Sequence, residues 1–331
     1  MNKRVLVTGA DGLLGNNVVR LLLERGYQVR ALVLASSNYT SIESLPIEIH
    51  TGNLLDPASL EIAIKDCAYV IHVAGLTDVW PARGDKYFAV NVKGTQNLID
   101  TVLAHSVERM VCIGSASSFG FGSKEQPGDE DTPWKGAKYG LDYIDSKREG
   151  QKQILQAVKE RGLNALVVNP TFMIGPYDTK PSSGAFLVAA WDGPPPFCTQ
   201  GGRNWVAVKD VATAAVNGLT QGKAGECYIA GGVNMSYVEA FGVLEELTQK
   251  KQPQRTLPDF FILATGWAAS LFGKLTGKAP KITYEMAKVA VDTHYFSPAK
   301  AIAELDMPQT PIKEAMQEAY DWFFSNGYLK K

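Results

Sequence analysis

The 331-residue sequence predicts an α/β fold: a doubly wound parallel sheet with helices on both faces, followed by a smaller, mostly helical part. Three observations predict it. Short β-branched runs alternate with helical stretches between residues 4 and 169. The first of those runs passes through a glycine-rich turn straight into a helix. After Pro170 the texture changes, as Pro181, Pro194, Pro195, Pro196 and paired glycines break the alternation. The chain therefore divides into 1–170 and 171–331, interleaved in the sense that strands of the second part can return to the main sheet.

The elements follow in order. Arg4-Val5-Leu6-Val7 is a strand, and residues 13–25 read as a helix closed by Gly26 at its C-terminal cap. Residues 29–34 and 47–50 are the next strands. Residues 60–65 are helical and lead into a strand at 69–73. A helix at 87–103, a strand at 110–114, a long helix at 139–161 and a strand at 165–169 complete the series.

Composition excludes several classes. Hydrophobic residues make up 45% and charged residues 20%, with a formal net charge of -1. That balance lacks the basic face of a nucleic-acid binder, so no nucleic-acid partner is expected. Cys67, Cys112, Cys198 and Cys227 lie far apart without a CxxC pair, which suggests reduced thiols and no metal site. The first strand leaves no room for a signal peptide, and the longest apolar run, 260–272, is too short for a bilayer span of about 20 residues. A cytoplasmic location without a transmembrane segment is expected. The 260–272 run reads either as an amphipathic lid or as a core helix, and the core helix is preferred.

The opening turn reads Thr8-Gly9-Ala10-Asp11-Gly12-Leu13-Leu14-Gly15. Gly9 permits the tight turn, Gly12 lets a pyrophosphate approach the backbone, and Gly15 lets helix and strand pack closely. The helix start adds free N–H groups and a positive dipole end. Thr8, Gly9, Asp11, Gly12, Leu13, Leu14 and Gly15 are thus the candidate loop for a dinucleotide, in a Rossmann-like sheet over 1–170, with 171–331 as the substrate-binding part.

The spacing Gly-x-x-Gly-x-x-Gly resembles that of the extended short-chain dehydrogenase/reductases, within the NAD-dependent epimerase/dehydratase superfamily. Other blocks fall in that family's order: Asn53-Leu54 after the third strand, His72-Val73-Ala74-Gly75 at the end of the fourth, Asn91-Val92-Lys93-Gly94-Thr95, and Asn169-Pro170-Thr171 before Ile174-Gly175-Pro176. The resemblance covers nearly the whole chain. It implies that Asn53 and Leu54 meet the adenine, that Val73, Ala74, Gly75 and Asn91 bind the cofactor, and that Pro170, Thr171 and Met173 lie against the nicotinamide. His72 reads as structural. At the end of the second strand, Leu34-Ala35-Ser36-Ser37 has neither the acidic residue usual for NAD nor the arginine often found with NADP. Leu34, Ser36 and Ser37 are the candidates there. Two serines able to donate to a 2′-phosphate favour NADP, with NAD as the alternative. Both serines are equally readable as plain loop residues.

Tyr143-Ile144-Asp145-Ser146-Lys147 puts a tyrosine and a lysine one helical turn apart on one face. A free phenol has a pKa of about 10, and a nearby ammonium lowers it. The tyrosine can then give a proton to a carbonyl oxygen or take one from an alcohol. Lys147 can also hold the nicotinamide ribose. The same spacing recurs at Tyr284 and Lys288, read as packing. The resemblance implies a Ser or Thr five residues before Gly120 that bonds the substrate oxygen, which gives Ser115, with Ser117 as runner-up. Trp80, Phe172, Met173 and Phe186 are readable as pocket lining or as core.

Within the family, residues 29–33, 72–80, 169–176 and 321–328 look most like the dihydroflavonol-reductase-like and 3β-hydroxysteroid-dehydrogenase-like branch. That implies a small-molecule ketone or aldehyde reductase (or alcohol oxidation) on an apolar or amphipathic substrate. A nucleotide-sugar epimerase or dehydratase is the alternative. It would use Arg203 to grip a diphosphate, but Ala207-Val208-Lys209-Asp210 departs from the family's usual His-Val-Asp-Asp. A non-catalytic NADP sensor ranks below both, because Tyr143 and Lys147 are retained. Homodimers are common in the family, although no segment marks an interface.

Overall fold

The computed structural model describes residues 3–280 and 282–330. The first half contains β1 (Arg4–Thr8), α1 (Leu13–Glu24), β2 (Gln28–Val33), α2 (Thr40–Glu43), β3 (Glu48–Thr51), α3 (Pro57–Ile64) and β4 (Tyr69–His72). It continues with α4 (Asp85–Phe88), a π turn at Ala89–Gly94, α5 (Thr95–Ala104), β5 (Arg109–Ile113), α6 (Asp142–Arg161) and β6 (Ala165–Pro170). The main sheet runs β3-β2-β1-β4-β5-β6 and ends on β9 (Cys227–Ala230). Every pairing in it is parallel. The Rossmann-like doubly wound sheet is therefore present.

Parallel strands buried on both faces need continuous apolar runs rather than alternation. β1, β4, β5 and β6 meet that need, with Val5, Leu6, Val7, Val70, Ile71, Met110, Val111 and Leu166 all fully buried. One face packs against α1 and α8 (Val208–Asn217), the other against α3, α5 and α6. Chain order reverses between β1 and β4. Their carboxyl ends diverge there and leave a crevice.

The second half is mainly helical, with α7 (Ala185–Asp192), α8, α9 (Tyr237–Thr248), α10 (Asp259–Thr276), α11 (Tyr284–Val291), α12 (Ala299–Leu305) and α13 (Ile312–Ser325). Short strands β7 (Phe172–Ile174), β8 (Gly202–Ala207), β10 (Val233–Ser236) and β11 (Thr293–His294) form a second sheet centred on β8. Its core gathers Trp205, Phe241, Met316, Tyr320 and Phe323, with Phe172 edge-on and Phe186 tilted against Trp205, ring centres 4.9 and 5.0 Å away.

One element departs from expectation. Residues 260–272 form most of α10, but they do not make a core helix. Gly266, Ser270 and Gly273 are its buried residues, while Phe260, Trp267, Phe272 and Leu275 are exposed. The small residues face the protein because α11 approaches closely: a Cβ on Gly266 would sit 2.7 Å from that of Ala287. Large apolar side chains are left on the outer face.

Candidate functional site

The turn from β1 into α1 forms the floor of the crevice. Gly9 takes φ +68°, and a Cβ there would lie 2.7 Å from the Ala74 backbone. A Cβ on Gly15 would fall 2.0 Å from the Gly9 carbonyl oxygen. Both positions are closed to other residues by the fold itself. Gly12 differs, because its nearest contact would be 3.5 Å away and it is exposed. A side chain at Gly12 would fit the protein but fill the space beside the loop. Among the described residues no side chain caps α1, and its first turn carries no acidic residue. Its amides and dipole are therefore available to an anion. These features fit a dinucleotide pyrophosphate.

A cleft of about 540 Å³ extends from this loop. Thr8, Gly9, Asp11, Gly12, Leu13 and Leu14 line its centre. Leu34, Ser37, Asn53 and Leu54 line one end, and Val73, Ala74, Gly75, Pro170, Thr171 and Met173 lead to the other. Ser115, Tyr143 and Lys147 stand at that far end. Three candidates lie outside the lining. Gly15 is buried in the turn, Ser36 is exposed beyond it, and Asn91 is buried beneath it. At the Leu34 end, Ser37 closes its own turn by donating from Oγ to the Leu34 carbonyl at 2.9 Å. Its proton is thereby committed to the loop.

Asn91 works from below. The π turn brings its side chain against the backbone of Leu76, accepting from Leu76 N at 2.7 Å and donating to Leu76 O at 3.0 Å. It also donates to Ser146 Oγ at 3.0 Å, which joins the strand-end loop to α6. His72 continues this support. Thr95 Oγ1 donates to the Asn91 carbonyl, so it must accept from His72 Nε2, and His72 Nδ1 then accepts from Thr8 Oγ1 at 2.8 Å. Thr8 Oγ1 in turn accepts from Ala74 N. Burial, with the Lys147 charge adding to it, pushes the His72 imidazole down to about 3, so this chain carries a neutral ring.

Ser115 follows β5 and caps a short 3₁₀ turn, with Oγ 2.8 Å from Ser117 Oγ. Asn169 holds the Ser115 carbonyl at 3.1 Å. Tyr143 and Lys147 occupy the first turns of α6. Arg83 pairs with Asp142 and Asp145, and Gly84 N donates to Asp142 Oδ2 at 2.8 Å, which anchors that helix start. Lys147 Nζ donates to the Ile113 carbonyl at 2.7 Å, and burial pushes it down to about 8. The expected lowering of the Tyr143 phenol is reversed. Burial raises it above 10, while the Ser115 hydroxyl and the Arg203 guanidinium oppose the rise. The half-buried site desolvates the phenolate more than the surrounding charges stabilise it.

Tyr284 and Lys288 lie on α11, where Lys288 Nζ donates to the carbonyls of Lys138 and Tyr139. Trp80 is half-buried and does not line the cleft. Sequence reasoning missed the loop Asp178-Thr179-Lys180, with Ser182, which lines the cleft beside α1. Asp178 shapes it by accepting from Ser182 N and Gly184 N, each at 2.9 Å. Asn17 ties the preceding Pro176 to α1. The available signal was an Asp followed by a Lys-Pro-Ser-Ser run, a turn-forming cluster with one cation.

Comparison with known proteins bears on the family and the fold. Residues 5–231 match the NAD dependent epimerase/dehydratase family. A Synechocystis sp. protein provisionally named dihydroflavonol 4-reductase is 32% identical, covering 98% of this chain and 95% of its own. The sterol demethylase protein B of Methylococcus capsulatus is 28% identical over 98% of this chain and 99% of its own. The crystal structure of gox2253 superposes with a TM-score of 0.87 at 32% identity, covering 99% of this chain and all of that one.

Proposed function

Because the chain belongs to the NAD dependent epimerase/dehydratase family, and is an enzyme of it, we propose that it reduces a ketone or aldehyde on an apolar or amphipathic substrate, or oxidises the corresponding alcohol. The observation that carries this reading is the meeting of Ser115, Tyr143 and Lys147 at one end of the glycine-loop cleft. Thr8–Leu14 would hold the pyrophosphate, Leu34, Asn53 and Leu54 the adenosine end, and Pro170, Thr171 and Met173 the nicotinamide end. The bound nicotinamide supplies or accepts hydride. Ser115 orients the substrate oxygen through its hydroxyl. Tyr143, kept protonated by its raised pKa, holds the proton at Oη that the carbonyl oxygen receives. Lys147, steadied by its donation to the Ile113 carbonyl, holds the ribose, and the charge that acts on the phenol is that of Arg203.

NADP is the proposed cofactor form, with NAD as the alternative. Among the described residues no carboxylate stands at the Leu34 end of the cleft to repel a 2′-phosphate, and no cation stands there to bind one. The preference is accordingly expected to stay below about tenfold, the scale of one missing charge-assisted contact. The apolar substrate accords with the names of the reductase and sterol relatives. Arg203 donates from Nε to Tyr237 Oη at 2.7 Å and lies 5.0 Å from the Phe172 ring centre. With that guanidinium engaged in packing, a diphosphate-gripping epimerase is the second reading.

The test is oxidation of NADPH and NADH with a panel of apolar ketones and aldehydes, using the natural chain and Tyr143→Phe. Turnover should fall by about 10²- to 10⁴-fold in the variant while dinucleotide binding persists. Undiminished turnover would remove Tyr143 from the chemistry. Binding without net oxidation of any carbonyl would transfer the assignment to epimerase or dehydratase chemistry.

A further inference from the structure

α10 is built inside out for a helix on a water-soluble surface. Six of its large apolar side chains are exposed, with Leu275 at 78%, Phe260 at 73% and Phe272 at 67%. At 3.6 residues per turn, Trp267, Phe260, Leu271, Leu275, Phe261 and Phe272 occupy a continuous arc of about 140°. Thr265, Thr276 and Lys274 border it. The opposite arc holds Gly266 and Ser270, docked on the start of α11, and Gly273, which lies against Lys278 and Pro280. A contiguous exposed apolar face rimmed by polar residues marks an interaction surface.

Charge identifies the occupant. Between residues 250 and 280 the chain carries Lys250, Lys251, Arg255, Lys274 and Lys278 against a single acidic residue, Asp259, although the whole chain is at -1. Lys251, Arg255, Lys274 and Lys278 are exposed. Aromatic and leucine side chains on one face, with lysines at the border and at the helix end, are what a helix needs to lie in the headgroup plane of an anionic bilayer. No described helix is long and apolar enough to cross a membrane, so the contact is in-plane. The placement is also suited to the cleft: α11, beneath α10, packs Met286 and Val289 in the cluster that includes Tyr143. We propose that α10 docks this protein on the surface of anionic lipid bilayers. Docking at α10 is independent of the reaction proposed above.

Flotation of the full chain tests this, with phosphatidylcholine vesicles and with vesicles about one-third phosphatidylglycerol. The natural chain should float with the anionic vesicles, and high salt should reduce that binding several-fold. Lys274→Glu/Lys278→Glu should abolish the preference for anionic lipid. Phe272→Asp/Leu275→Asp should abolish flotation without changing the thermal melt. Should that variant melt differently, Trp267 provides a second reading, because its emission, taken as the natural chain minus Trp267→Phe, should shift to the blue on anionic vesicles. No flotation with either vesicle, equal flotation with both, or an unshifted Trp267 emission would overturn the proposal. So would a self-associated natural chain that Phe272→Asp/Leu275→Asp converts to monomers.

Discussion

Three glycines stand in one turn, two of them closed in by backbone and the third beside open space. Gly9 and Gly15 are enclosed by backbone at 2.7 and 2.0 Å, whereas Gly12 has open space. Replacing Gly12 with Val should therefore change folding stability by no more than about 1 kcal/mol, as for an exposed position, while removing dinucleotide binding. Retained binding, read by nucleotide fluorescence, would move the pyrophosphate elsewhere. The Gly-x-x-Gly-x-x-Gly spacing marked the turn and the Tyr-x-x-x-Lys spacing marked Tyr143 and Lys147, while Ser115 came from the family resemblance; all three side chains line the cleft. Lys180 was not legible, because a lone lysine among turn formers looks like a solvated loop until the fold brings it beside α1.

At the scale of elements, the parallel strands were readable because strands buried on both faces spell unbroken apolar runs. The helix expected at 87–103 is in fact α4, a π turn and α5. A single-residue bulge leaves the apolar period nearly intact, so nothing in the pattern exposes it. α10 misled for the opposite reason. Its apolar content was plain, but the side on which it would be buried depends on α11, which no local signal reveals. α6 rests on a contact invisible in sequence, the grip of Arg83 on Asp142 and Asp145. Arg83→Ala should slow carbonyl reduction several-fold by loosening the turn that carries Tyr143, and Arg83→Lys should recover part of it. An unchanged rate in Arg83→Ala would show that the helix start holds without it.

Across the whole molecule the two halves share one sheet, since β9 from the second half completes the edge that β6 would otherwise leave open. Each half also buries a neutral histidine. Burial pushes His72 and His294 to about 3, whereas an unfolded chain protonates near 6.5. A folded value below the unfolded one means full stability above about pH 6.5 and progressive loss as pH falls towards 3. Each ring should cost about 2 kcal/mol at pH 5 relative to pH 7. Thermal melts at the two pH values should show a lower transition at pH 5, and coincident transitions would mean that these rings protonate in place.

The shared edge also has a consequence for how the chain is made. Synthesis delivers β6 at Pro170, but its neighbour begins only at Cys227, several seconds later at about 10 residues per second. A sheet formed from the first half before β9 arrives would present an open, apolar β6 edge, prone to pair with the wrong strand. This period of exposure to misassembly thus falls midway through translation, after the glycine turn has emerged and before the sheet is closed.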